Sequence, residues 1–343
     1  MPPAHWSLRS GGQFNYDFAL IFSLAVGLRL KRAKKDVAVI TLLERAKRTF
    51  LAKRTGRKVV FAVSKAPIGS NFLRGRQLHE LVSPLLGNRG IKSSIALDLE
   101  ISDALVLLNK NVILGAPPDL IERLKRRRNI VVADPLDGDV PKEALRAVDA
   151  LISSSHVQSE YFGLTFPEKP RFYVGHHVDI RIGPIEPRHS ETLSIGYFGE
   201  LYNALYSEEL RSRIDFHRTN TADSSDVSWM AQLRNYNAHY GMRLRQRYDG
   251  YKPFTKGFVA AHCGCPIIVS ADDREAMLHL TNDYPFAVRD SSLTAVLAVM
   301  ADMSAGFMGP RWRAALEIMN HVKAKSSREA TANQLLRVIE SLI

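Results

Sequence analysis

Residues 248–270 read Tyr-Asp-Gly-Tyr-Lys-Pro-Phe-Thr-Lys-Gly-Phe-Val-Ala-Ala-His-Cys-Gly-Cys-Pro-Ile-Ile-Val-Ser. Lys252-Pro253 precedes a helix expected to open near Thr255, so Thr255 and Lys256 fall in its first turn. A helix N-terminus offers unbonded backbone N–H groups and the positive end of the helix dipole, an arrangement suited to anions. A lysine there is unfavourable unless something negative sits beside it. Two lysines and a threonine around one such terminus suit a diphosphate; two solvated surface lysines are the plainer alternative. Small residues, Ala260 and Ala261, then let the helix lie close to a sheet, Gly264 stops it, and Pro266 opens the strand Ile267–Ser270.

The same strand–helix alternation extends upstream in two blocks. From Lys58, short apolar runs at 59–63, 93–97, 104–108, 130–133, 150–153 and 171–174 alternate with helical stretches at 76–86, 119–128, 142–148 and 154–163. Such an order predicts an α/β protein with a parallel sheet covered on both faces. A Pro- and Gly-bearing stretch at 182–190 reads as a linker. Alternation restarts with strands at 193–198, 214–218 and 244–247. Helices are expected at 207–212 and 229–241, and four more, at 273–281, 293–303, 310–323 and 327–342, close the chain.

The chain has 343 residues, 45% hydrophobic and 24% charged, which fits roughly two globular domains of about 150 residues. Two cysteines, Cys263 and Cys265, are too few for a disulfide framework or a zinc cage and are read as core. His176-His177 has no ligand-spaced companion except Asp179 and is read as interdomain packing. Charge is uneven. Residues 1–58 carry thirteen Lys or Arg and three acids, so ten of the net +12 lie there. That block contains a helical stretch at 16–35, a strand at 36–41 and a basic helix at 42–54. Its apolar run at 18–30 is too short to span a bilayer. A buried core helix and an interfacial helix with Lys31–Lys35 on anionic headgroups both remain open.

Three loops follow strands and so stand where ligands of parallel sheets collect. In the first, Gly69, Ser70, Asn71 and Arg74 are acceptor-side candidates. In the second, Ala133-Asp134-Pro135-Leu136-Asp137-Gly138-Asp139, Asp134 or Asp137 could take a proton from a hydroxyl; an Asx turn is the alternative. The third, Gly199-Glu200-Leu201-Tyr202-Asn203, has a glycine where a diphosphate would need close approach. Arg218, after the next strand, could reach a ribose or base.

Lys252-Pro253-x-x-Lys256, a small-residue helix and Gly264-x-Pro266-Ile-Ile resemble the donor-binding segment of GT-B glycosyltransferases. The stretch from Leu193 to Gly199 resembles the first strand and glycine loop of their nucleotide-sugar half. Val174-Gly-His-His-Val-Asp179 resembles the segment ending their first half, and the likeness covers about residues 58–340. It implies two Rossmann-like domains facing across a cleft. Residues 58–185 would form the acceptor side and 190–330 the donor side, with 331–343 as a C-terminal helix and 1–57 joined to the first domain. It implies a nucleotide-sugar donor held by Gly199, Glu200, Asn203, Arg218, Lys252, Pro253, Thr255 and Lys256, a glycan or lipid-linked acceptor, and no metal or other cofactor. One departure stands out: retaining members often carry a glutamate where this chain has Val259, which leaves stereochemistry open and admits an inactive scaffold.

The basic block suggests an anionic membrane surface as partner, hence a peripheral protein at the cytoplasmic face of the inner membrane. Nucleic-acid binding through the same arm is the alternative, disfavoured because the arm has no recognised nucleic-acid-binding signature. Removal of residues 1–35 is expected to weaken flotation with anionic liposomes. A truncated protein that floats unchanged would place the attachment elsewhere, and one that unfolds would make the segment part of the core.

Overall fold

The structure is a computed structural model that describes residues 58–137, 139–186, 190–244 and 251–343. The helix expected at 16–35, the strand at 36–41, the basic helix at 42–54 and most of the strand at 244–247 lie outside the described residues, as does the membrane contact expected of residues 1–58.

The described residues form two parallel sheets. In the first lobe β1 (Lys58–Ala62), β2 (Lys92–Ala96), β3 (Leu105–Asn109), β4 (Ile130–Asp134), β5 (Ala150–Ser153) and β6 (Arg171–Tyr173) lie in the order β2-β1-β3-β4-β5-β6. In the second, β7 (Ile195–Gly199), β8 (Asp215–Arg218), β9 (Ala238–Tyr240), β10 (Ile267–Ser270) and β11 (Ala287–Val288) lie in the order β11-β10-β9-β7-β8. Each sheet thus has the same 2-1-3-4-5 pattern, with its first strand between the second and third. The inner strands β3 and β4 are buried along their whole length and almost wholly apolar, as strands covered by helices on both faces must be.

Three features depart from the sequence expectation. The helix read at 76–86 begins earlier: α1 is continuous helical backbone through Gly69–Asn71, a π-helical turn Phe72–Gln77 and Leu78–Gly87. Residues 229–241, expected to be helical, form instead a 3-10 turn at Ser228–Asn235 and then β9. Its His239 and Tyr240, with Asn237 just before it, do not read as an apolar run, yet all three are buried, because β9 is the central strand between β7 and β10. A short helix, α2 (Lys110–Gly115), also follows β3, capped by the Asn109 side chain on the Val112 N–H.

The remaining helices of the first lobe are α3 (Leu120–Arg126), α4 (Lys142–Ala147) and α5 (His156–Thr165). Those of the second are α6 (Glu208–Arg211), α7 (Thr255–His262), α8 (Arg274–Leu280), α9 (Leu293–Ala305) and α10 (Pro310–Lys325). The last helix, α11 (Arg328–Leu342), packs against α1 of the first lobe. Gly175 N–H donates to Gln334 on α11 at 2.8 Å, and Arg328 donates to the Ile180 and Ile182 carbonyls, both at 2.8 Å. Each lobe has its own apolar core, one around Val106, Val131, Leu151 and Phe162, the other around Tyr197, Tyr240, Phe258 and Ile267. Among the described residues no single helix is long and apolar enough to cross a membrane.

The π-turn of α1 lies tight on β1. A Cβ at Gly75 would stand 2.3 Å from Cγ1 of Val63. Gly75→Ala should therefore lower stability by about 1–3 kcal/mol through overpacking, read as a reduced urea midpoint. An unchanged midpoint would mean that α1 can lift from the sheet without loss.

Candidate active site between the lobes

A cleft of about 600 Å³ lies between the lobes. Its walls are the loops at the carboxyl ends of β1, β3 and β4 on one side and of β7 and β9 on the other. In a 2-1-3 strand order the chain leaves the first and third strands in opposite directions, and the gap so formed is where parallel sheets bind ligands. Both lobes turn that gap toward the same cleft.

On the second-lobe wall stand Gly199, Glu200, Asn203, Lys252, Pro253, Thr255 and Lys256, all placed by the sequence in the donor site. Helix α7 starts with Phe254 outside it, no side-chain cap and no acidic residue in its first turn. Its N-terminal N–H groups and the positive end of its dipole lie at the cleft, where Phe254 and Thr255 are part of the lining. Lys256 lies with its Nζ 5.2 Å from the centre of the Tyr197 ring, within cation–π range. A Cβ on Gly199 would come within 3.0 Å of Lys256 Cε and Nζ, so the missing side chain is what lets the lysine lie against the end of β7. Glu200 is buried and accepts from Thr221 N–H (3.0 Å) and Thr221 Oγ1 (3.2 Å); it holds the loop after β8. Arg218 pairs loosely with Glu200 at 3.5 Å, is 70% exposed and does not line the cleft.

On the first-lobe wall, Gly69 and Ser70 line the cleft, and Ser70 accepts from Asn111 at 2.6 Å. Asn71 and Arg74 do not line it. Asn71 is buried and donates to the Ala66 carbonyl while accepting from Asn109, both at 2.8 Å, so it shapes the loop. Arg74, in the π-turn, donates to Asp134 Oδ2 at 2.8 Å and to the Gly175 carbonyl at 2.9 Å. This buried pair corrects the reading of Asp134 as a base. Asp134 lies behind the cleft wall, where burial pushes its pKa up and Arg74 offsets only part of that rise. Asp137, three residues on, does line the cleft and accepts from Lys110 at 3.0 Å. The turn that separates them has Leu136 in the left-handed region, φ +53°. Gln158 of α5 donates to the Leu136 carbonyl and holds that unfavourable conformation.

Several cleft residues were not legible beforehand. Lys110 sits on the missed helix α2, and His239 is the middle residue of the missed strand β9. Phe198, Trp229 and Arg243, the last paired with Asp273 at 3.0 Å, complete the second-lobe side. Recognising β9 as the third strand of the second sheet would have found His239, since the end of that strand must border the gap. Nε2 of His239 and Oδ1 of Asn203 are buried without a hydrogen-bond partner.

His176 and His177 do not converge as ligands. His176 Nδ1–H donates to the His177 carbonyl and His177 Nε2–H to Gln77 Oε1, both at 2.9 Å, and Gln77 donates to Asp179 at 2.7 Å. Among the described residues the side chains that do converge with metal-ligand spacing are His156, Glu275 and His279, away from the cleft lining. Cys263 and Cys265 are buried in the second core.

No protein-family model matches this chain, and no curated protein matches it in sequence. Solved structures do. HepE of Anabaena, in complex with UDP and glucose, superposes with a TM-score of 0.54 at 11% identity, over 83% of this chain and 100% of that one. A glycosyltransferase of Rickettsia africae gives a TM-score of 0.52 at 9% identity, over 83% and 98%. A looser match to the GtfA/B complex has a TM-score of 0.48 at 10% identity and covers 70% of this chain but only 57% of that one. The chain therefore has the GT-B fold, two Rossmann-like lobes facing across a cleft.

Burial pushes the His176 pKa down to about 4, with the Arg74 charge adding to the effect. A histidine depressed in the folded state contributes stability above its unfolded value, near pH 6.5, that is lost as pH falls toward 4. Urea unfolding of His176→Gln should show a shallower loss between pH 7 and 5 than the unsubstituted protein. Parallel losses in both would remove His176 from the acid response.

Proposed function

We propose that this protein transfers a glycosyl group from a nucleoside-diphosphate sugar to an acceptor hydroxyl. The observation that carries the reading is the convergence of Lys252, Thr255, Lys256 and the uncapped start of α7 on the wall where Gly199 ends β7. Transfer breaks the bond between the anomeric carbon and the diphosphate, and negative charge grows on the departing oxygen. Donors fixed in place before the reaction stabilise that charge without reorganising. The basic side chains and the helix dipole carry this neutralisation, with no metal assigned to it. Support also comes from the fold, since HepE holds UDP and glucose in a chain of the same architecture.

The first lobe presents the acceptor, a glycan or a lipid-linked saccharide, against Gly69, Ser70 and Asp137. Asp137 takes the hydroxyl proton as the new bond forms, and its contact with Lys110 fixes the position of the carboxylate at the cleft. Val259 lines the cleft where retaining relatives in this fold often carry a glutamate, which favours direct displacement with Asp137 as base. The basic residues 1–58 hold the enzyme on anionic lipid at the cytoplasmic membrane face, worth about 1 kcal/mol per near-surface basic residue.

A thermal-shift series of nucleoside diphosphates tests the donor site, because a ligand that binds the folded state raises the melting temperature by mass action. At least one should do so, and none doing so would sink the reading. With the donor so identified, Lys256→Ala should lower kcat/KM by about a hundredfold, the scale of losing one oxyanion donor, with the circular-dichroism spectrum unchanged.

A further inference from the structure

The three converging side chains His156, Glu275 and His279 belong to different lobes. His156 is the first residue of α5, and Glu275 and His279 lie one turn apart on α8. Oε1 of Glu275 accepts from His156 N–H and Oε2 from Val157 N–H, each at 3.0 Å. The carboxylate of one lobe thus caps the N-terminus of a ten-residue helix of the other. His279 Nε2–H donates to the same Oε1 at 3.1 Å, and both Glu275 and His279 are buried. Burial pushes Glu275 toward neutrality, but the hydrogen bonds from His279, Val157 and His156 outweigh it and hold its pKa below the usual value. With both oxygens already accepting backbone N–H groups, at the positive end of a dipole, the trio has the electrostatics of an anion clasp and not of a cation site.

The clasp adjoins the lysine turn. Ser155, the N-cap of α5, donates from Oγ to the Tyr251 carbonyl at 2.8 Å, one residue before Lys252. His279 stacks on Phe254 (5.9 Å between ring centres, 17° between planes), one residue before Thr255, and meets Phe258 edge-on at 5.0 Å. Both ends of the turn from Tyr251 to Phe254 are therefore tied to α5, one through Ser155 and the other through His279 and Glu275.

We infer that Glu275, with Ser155, is a positioning residue that makes the diphosphate-binding turn depend on docking of the first lobe. This rests on the reading of the cleft as a nucleotide-sugar site. Helix α5 docked on Glu275 sets Lys252, Thr255 and Lys256 in place, and by linkage a bound diphosphate strengthens the docking.

The test uses the full chain and the nucleoside diphosphate that stabilises it most. Glu275→Ala is expected to raise that ligand's Kd, and the donor KM with it, by about tenfold, while kcat changes less than about threefold, since the clasp acts through binding geometry. In small-angle scattering its radius of gyration should exceed that of the unsubstituted protein and shrink when the ligand is added. Ser155→Ala, a smaller change, should raise Kd by about threefold and covers the case in which Glu275→Ala does not fold. A lower melting temperature with Kd and radius of gyration unchanged in both variants would reduce the clasp to a stability feature and overturn the inference. So would one equivalent of zinc that raises the melting temperature of the unsubstituted protein but not of Glu275→Ala, because the trio would then be a metal centre. If the unsubstituted protein binds no nucleoside diphosphate, the donor-site reading fails by itself. The scattering comparison still decides whether Glu275 holds the lobes together.

Discussion

Everything at the cleft follows from strand order. A parallel sheet threaded 2-1-3-4-5 leaves one gap at its carboxyl edge, between the first and third strands, where the chain departs to opposite faces. This protein builds that gap twice, and the two gaps face each other. The fourth strand of the second sheet is preceded by α7, so the uncapped start of that helix falls at the edge of the gap. Gly199 then allows a lysine from α7 to lie against the end of the first strand. Topology thus brings together a cation, a helix N-terminus and a bare backbone, three features that suit a diphosphate when combined.

Behind the cleft wall the protein spends buried charge on geometry. Arg74 joins the π-turn of α1 to the end of β4 through Asp134 and to the start of the interlobe segment through the Gly175 carbonyl. An ion pair this deep is weak evidence for net stability, because desolvation opposes the Coulomb attraction. Its effect is on position: Asp134 anchors a turn whose next carboxylate, Asp137, stands in the cleft. Glu200 acts in the same manner on the other wall, where it holds the Thr221 loop whose carbonyl accepts from Gly69 N–H at 3.0 Å. Arg74 and Asp134, read from the sequence as site residues, thus lie behind the cleft lining, whereas Glu200 lines the cleft and also holds a neighbouring loop.

How much was legible varies with the kind of signal. The edges of β1, β4, β5 and β10 show as short apolar runs between turn residues, because strands buried on both faces need an unbroken apolar sequence. The central strand β9 gives no such signal. His239 within it and Asn237 just before it are polar, and Asn237 finds partners far along the chain in the Ser194 N–H and the Thr192 carbonyl. Asp134 and Asp137 look equivalent in the sequence, three residues apart after a strand. Only Arg74, sixty positions earlier, distinguishes them by pulling one behind the wall.

From the sequence alone came the two rounds of strand–helix alternation, the break between them near 182–190, and the Lys252–Lys256 helix start, all of them written in local composition and spacing. Tertiary structure decided which of these groups share a cleft, which carboxylate is buried and which exposed, and that Glu275 of one lobe caps a helix of the other. The physical reason is that hydrogen bonds and ion pairs act over about 3 Å, and residues that close in space here are separated by up to 159 positions in the chain.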